Sequence, residues 1–320
     1  FKPTGANEFY ANPVVMPTQW GPGAPPNVPG ANWWLGAGGL EWGFPVEEHG
    51  YEFGTVWGYD HVSRPDGSVM ITVYTQTGPE RPYAVVDIIL PPDTAYFVIQ
   101  PHVTNPLGAP FRFKFWSNAM LAPGRPNTVS PDLRFVVPVS EMTVHSAGDP
   151  AFPQGQSFAW PVANGRDLSR LGNWTNYLGA FSRPAAAGGY ANGAFAAVYD
   201  PTVDEGMVRI YPPELAKGLK IFAPVGLDPA LWTDDGSSYV ELHGGLEPTF
   251  GDWHELGPGE DVTWSEFWYP VAGIGGLTFA NDRAALSLVP TGGKLRAGLF
   301  PTGAVSGRVT ITVQGGSPVA

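Results

Sequence analysis

The sequence predicts an all-β protein, and three observations carry that prediction. Short runs rich in β-branched and aromatic residues recur along the 320 residues, at the spacing expected of a sandwich or barrel. The 42 glycines and 35 prolines fall between those runs without a repeating period, so they read as turns rather than as disorder. Helical signal is confined to Pro212–Gly218 and a turn near Leu168–Gly172, and no solenoid or propeller repeat is present.

Taken in order, residues 13–30 hold six prolines and are expected to form a long loop, because proline denies a ladder its hydrogen bonds. Thr55–Ser63 and Ser68–Gln76 flank Arg64-Pro65-Asp66-Gly67, a hairpin turn in which Pro presets one dihedral and Gly permits positive φ. Tyr83–Leu90 and Ala95–Val103 flank PPDT in the same way. Strands are then expected at Phe111–Leu121, Arg134–His145, Gly193–Tyr199, Met207–Tyr211, Leu219–Pro224, Tyr239–Gly244 and Val262–Tyr269. After Gly273 the aromatic residues thin out to Phe279 and Phe300. Short strands at Leu286–Val289, Leu295–Phe300 and Arg308–Val313 mark a small C-terminal β segment, residues 273–320, beyond a main domain of residues 1–272.

Composition excludes several functions. Hydrophobic residues make up 43%, enough for a sizeable core, while charged residues are only 14% where about a quarter is usual. The net charge is −12 and only five lysines occur, so no basic cluster is present to displace the counterions of a nucleic acid. The absence of cysteine rules out disulfides, thiolate catalysis and Cys-ligated metal. No apolar run approaches the ~20 residues that span a bilayer. Phe1 does not open a signal peptide, and the missing initiator Met suggests a processed or truncated chain. Few lysines, many Gly, Pro and Trp and an acidic balance favour an extracellular or cell-surface location over the cytoplasm.

Candidate chemistry gathers in three places. Twelve tryptophans include Trp33, Trp42 and Trp174, each beside Gly or Asn, and Trp34 next to Trp33. An indole face packs on the C–H face of a sugar while its N–H stays free to bond; burial in the core is the alternative for each. In Tyr239-Val240-Glu241-Leu242-His243-Gly244-Gly245, period-two alternation sets Tyr239, Glu241 and His243 on one face. That is an acid/base pair able to project into a cleft, or the polar face of an exposed edge strand. Around Gly38-Gly39-Leu40-Glu41-Trp42, the run Glu47-Glu48-His49 cannot direct three contiguous side chains at one ion on regular structure, so no metal is expected. Nor is it a phosphate loop, since no GK[ST] follows.

Two of these stretches carry a resemblance. Gly38-Gly39 through His49-Gly50 and Trp57, with Tyr239 to His243 and Pro248, resemble the GG…P…HGF…W pattern and the glutamate-bearing strand of aldose-epimerase (galactose-mutarotase) proteins. The chain is most similar to an uncharacterised bacterial family of that supersandwich fold, often fused to tetratricopeptide repeats. Gly5–Pro13, Trp116-Ser117-Asn118-Ala119, Trp160-Pro161, Gly165-Arg166-Asp167, Gly218–Phe222 and Trp264–Pro270 echo it in order, over residues 1 to about 272. The resemblance implies a large antiparallel β-supersandwich. It also implies a glutamate that takes the anomeric hydroxyl proton while a histidine protonates the ring oxygen.

Carried over, Glu241 is the base, and His49 matches a substrate-contacting histidine. The family's catalytic histidine falls near Trp116–Asn118, where this chain has none, so His145 and His49 are the candidate acids. Trp33, Trp34, Glu41, Trp42, Trp116, Asn118, Asp167, Trp174 and His243 are the candidate sugar contacts. The expected function is a carbohydrate-active protein working on an oligo- or polysaccharide by glutamate-based acid/base chemistry as a hydrolase, lyase or epimerase relative. A non-catalytic binding or cell-surface module is the alternative. No cofactor, nucleic acid or membrane insertion is expected. Because the chain opens close to the Gly5–Pro13 segment, which the family precedes with earlier strands, a second chain or fragment completing the sheet is a further expectation.

Overall fold

The computed structural model describes residues 8–9, 17–19, 33–35, 38–45, 57–75, 77–124, 127–182, 194–229, 233, 235–307 and 310, with backbone alone for 17–19 and 33–35. Among these residues the regular structure is β, apart from one 3-10 turn at Leu171–Asn173. Two large antiparallel sheets dominate. The nine-stranded sheet runs in the order Arg134–Val136, Phe195–Asp200, Glu205–Ile210, Glu266–Ala272, Phe97–Thr104, Tyr83–Leu90, Val69–Tyr74 and Gly58–Ser63, with Asp261–Thr263 also paired to Phe97–Thr104. The seven-stranded sheet runs Ser157–Ala159, Glu141–Ala147, Leu178–Ser182, Gly218–Ala223, Val240–Gly245, Trp116–Leu121 and Gly39–Gly43.

Alternation decides which side chains face which layer. Leu121, Met142, Ala180, Ile221 and Leu242 of the seven-stranded sheet join Val86, Ile99, Val198, Met207 and Trp268 of the nine-stranded sheet in one buried cluster, the core of the sandwich. The opposite face of the nine-stranded sheet is covered as well. Phe195, Tyr199, Val208 and Tyr269 pack there with Ile274, Ala280 and Ala285, beneath a three-stranded sheet of Phe279–Ala280, Ala284–Thr291 and Lys294–Pro301. The C-terminal strands therefore lie on the main sandwich and share a core with it. The face of the seven-stranded sheet turned away from this core is where the polar residues collect, and Asn118, Lys220, Glu241 and His243 are buried there as well.

The hairpin at Arg64–Ser68 forms as its turn residues require: Gly67 has φ of 86°, and its N–H donates to the Arg64 carbonyl at 3.0 Å. Elsewhere the structure corrects the sequence reading. Phe111–Leu121 is two strands in different sheets, Phe111–Phe113 against His254–Leu256 and Trp116–Leu121 in the large sheet. Val262–Tyr269 likewise breaks into Asp261–Thr263 and Glu266–Ala272. Pro212–Gly218 is a single turn closed by Ala216 N–H on the Pro212 carbonyl at 2.8 Å, not a helix, since so short a segment bears the nucleation cost without propagation. Pro17–Gln19, inside the expected loop, pairs with Trp33–Leu35. Leu178–Ser182 and Ser157–Ala159 are strands that the sequence did not signal. Arg308–Val313 lies almost wholly outside the described residues.

Candidate functional site

The Val240–Gly245 strand is an interior strand of its sheet, paired with Trp116–Leu121 on one side and Gly218–Ala223 on the other. The exposed-edge alternative therefore does not apply. Val240, Leu242 and Gly244 face the sandwich core, and Glu241, His243 and Gly245 face the other way. Register then builds a polar row across four strands, Glu41 opposite Asn118, Asn118 opposite His243, and His243 opposite Lys220. Glu241 stands one step along, between Met120 and Phe222.

The row is closely knit and enclosed. His243 Nε2 lies 2.7 Å from Glu241 Oε2 and 3.1 Å from Lys220 Nζ. Asn118 Nδ2 reaches Glu41 Oε2 at 3.5 Å. Glu241 is 6% exposed, Lys220 3% and His243 0%. A carboxylate oxygen and a ring nitrogen this close hold a proton between them, because two lone pairs would repel. Lys220 Nζ stands beside the same nitrogen, which offers either one N–H or one lone pair and so bonds only one of its two neighbours at a time.

Aromatic rings wall this nest. Phe250 meets Trp116 edge to face at 4.6 Å between centroids, Phe181 at 5.1 Å and His145 at 5.1 Å. Its ring is also 5.9 Å from that of His243 and 4.8 Å from Lys220 Nζ. His145 and His243 thus flank one phenyl ring. His145 occupies the irregularity where the register of Glu141–Ala147 shifts between Val144 and Ser146, which turns the imidazole toward Phe181 and Phe250. Trp116 rests on a floor without side chains, since a Cβ at Gly245 or Gly218 would sit 2.4 Å or 2.5 Å from its ring. The Phe250 loop is tied down by Lys114 Nζ, which donates to the Phe250 carbonyl and lies 4.6 Å from the Trp253 ring centroid.

Of the residues singled out from sequence, the structure brings together Glu241, His243, Glu41, Asn118, Trp116 and His145. It sends others elsewhere. Trp42 alternates away from Glu41 into the sandwich core. Trp174 is buried, stacked on Phe135 at 5.4 Å, with its N–H donating to the Leu168 carbonyl at 2.8 Å, so neither indole is presented as a platform. Asp167 accepts from Ser169 N–H at 3.0 Å and pairs with Arg134 at 3.4 Å, which commits it to a local turn. His49 and the side chains of Trp33 and Trp34 lie outside the described residues.

Lys220, Phe181 and Phe250 belong to the cluster without having been proposed. A lysine between Leu219 and Ile221 in a strand whose neighbours are buried was a legible signal for the first. Phe250, in a loop, had none. No group of three or more His, Asp or Glu among the described residues is arranged to hold a metal ion. Two hollows of about 280 and 240 Å³ are lined by other residues, around Phe158 and Tyr239 respectively.

Residues 2–271 match the family described as Domain of unknown function (DUF5107). No curated protein matches. Among solved structures, a TPR-domain containing protein from Parabacteroides distasonis superposes with a TM-score of 0.67 at 20% identity, over 84% of this chain and 42% of that one. The chain therefore spans less than half of that protein. A presumed mutarotase (YeaD) from Salmonella typhimurium gives 0.55 at 11% identity, over 85% and 83%. The Slr1438 protein from Synechocystis gives 0.52 at 12%, over 74% and 79%. At these identities the likeness is one of fold. The architecture is a galactose-mutarotase-like supersandwich, and the chain belongs to the DUF5107 family.

Proposed function

We propose that this protein binds a sugar at the aromatic-walled outer face of its seven-stranded sheet and processes it by acid/base chemistry centred on Glu241. The observation that carries the reading is the Glu241–His243 hydrogen bond of 2.7 Å, enclosed by aromatic rings on a fold shared with a presumed mutarotase. In this reading Glu241 takes the proton of the anomeric hydroxyl, the ring C–O bond opens, and a donor across the nest protonates the ring oxygen. His243 is hydrogen-bonded to the base itself, so it orients the carboxylate, and the donor's role falls to His145, whose ring packs against the same Phe250. His49 remains a candidate sugar contact. Low exposure supports the reading chemically, because charges act more strongly where water is excluded.

The test is Glu241→Gln against the wild-type chain. A panel of aldoses and oligosaccharides is screened by NMR for anomeric exchange and for new reducing ends. The variant is expected to lose at least ~100-fold in turnover, the scale of general acid/base catalysis, with sugar affinity and thermal stability nearly unchanged. Turnover equal to wild type rejects Glu241 as the base. Binding without turnover by the wild-type chain points instead to a recognition module.

A further inference from the structure

Directly behind the Glu241–His243 strand, the sandwich core holds an ion pair that the proposed chemistry does not use. Arg209 and Glu266 come from adjacent strands of the nine-stranded sheet and are 0% and 3% exposed. Arg209 Nε and Nη2 donate to the two Glu266 oxygens, each at 2.7 Å. The indole N–H groups of Trp264 and Trp268 donate to the same oxygens at 3.1 and 3.2 Å. Burial pushes the Glu266 carboxyl up, but the facing guanidinium and the two indole donors outweigh it and hold it below its ordinary value. Removing two charges from water costs several kcal/mol each, and apolar residues of similar volume often serve stability equally well. Stability alone is therefore a poor reason for this pair.

The guanidinium reaches the opposite sheet at one defined place. A Cβ on Gly244 would lie 2.1 Å from Arg209 Nη2 and 2.4 Å from Cζ, and Nη1 donates to the His243 carbonyl at 3.5 Å. We propose that Arg209, clamped by Glu266, is a positioning residue for Glu241 and His243. It seats on the back of their strand at Gly244 and sets the height from which both side chains project on the other face. The fork is planar and its orientation is fixed by three hydrogen bonds, two to Glu266 and one to the His243 carbonyl, so it is a rigid stop where an aliphatic side chain would be a soft one. Its consequence for turnover rests on the function proposed above; its consequence for geometry does not.

The experiment compares the full chain with Arg209→Met/Glu266→Leu, which keeps the volume and removes both charges, and with Trp268→Phe, which removes one N–H donor and leaves the pair charged. The His243 ring signals are compared by ¹⁵N–¹H NMR at one fixed pH, assigned through His243→Asn. The double variant is expected to fold, with shifted His243 ring signals. On a sugar that the wild type turns over, kcat falls ~10–100-fold with KM nearly constant, the scale of a misplacement of about 1 Å. Trp268→Phe shifts the same signals less, in the same direction, and decides the matter if the double variant does not fold. A folded variant whose His243 ring signals match wild type overturns the proposal. If no sugar is turned over by the wild type, the functional reading fails while the NMR comparison still decides the positioning role.

Discussion

The floor beneath Trp116 offers a sharp test of how the nest is built. In Gly245→Ala the new methyl would stand 2.4 to 2.6 Å from three atoms of the indole, where ordinary carbon contacts are about 3.5–4.0 Å. The ring would have to retreat by about 1 Å. It has little room, being 2% exposed and held by Phe250 at 4.6 Å and Phe181 at 5.7 Å between centroids. Overpacking of this kind costs about 1–3 kcal/mol, and Ala recovers about 0.5–1 kcal/mol of the flexibility cost of Gly in a strand. The expected net loss is about 1–2 kcal/mol. For a chain of 320 residues that corresponds to a lowering of Tm by about 1.5–3 °C, with a changed near-ultraviolet circular dichroism signal as Trp116 and Phe250 shift.

Gly78→Ala is the control. No atom stands within 4 Å of its added Cβ, and the change is expected to be neutral or to stabilise by up to about 1 kcal/mol. Calorimetry on the two variants separates the cases. A Gly245→Ala protein as stable as wild type, with an unchanged aromatic signature, would refute the glycine floor and with it the placement of the Trp116 wall.

Two further expectations concern protonation. Glu266→Gln leaves the Arg209 cation in the core without its counter-charge and should destabilise by about 3–5 kcal/mol, read by denaturant unfolding. Because the folded carboxyl is held below its ordinary value of 4.5, its contribution is present above that pH and lost as pH falls through the lower folded value. The wild type should therefore lose stability on acidification more steeply than the variant. Asp235, hydrogen-bonded by Ser237 and Thr233, has its carboxyl pulled down to about 2 from 3.8. Its side-chain ¹³C signal should titrate with a midpoint near that value, and the turn's contribution should persist at pH 4 and vanish only as pH falls through the folded value. A midpoint close to 3.8 would reject the Thr233–Ser237 hydrogen-bonded turn.

What could be read from sequence was local or periodic. Alternation alone put Glu241 and His243 on one side of a strand, and they prove to share a hydrogen bond. The turn at Arg64–Gly67 was legible because its proline and glycine specify a backbone conformation without help from the rest of the chain. Ordered motifs pointed to the supersandwich for the same reason: each marks a strand or turn whose succession is fixed along the chain. Loop-like neighbours misled for Trp174, because an indole beside Gly and Asn can still bury its ring and find a carbonyl for its N–H. Only tertiary structure joined Lys220 to His243 and lowered Phe250 over both, since these contacts depend on strand register between residues far apart in sequence. The same holds for Arg209 behind Gly244. Its charge was visible in the sequence, but its burial and its seat follow from the approach of two sheets, which no local pattern encodes.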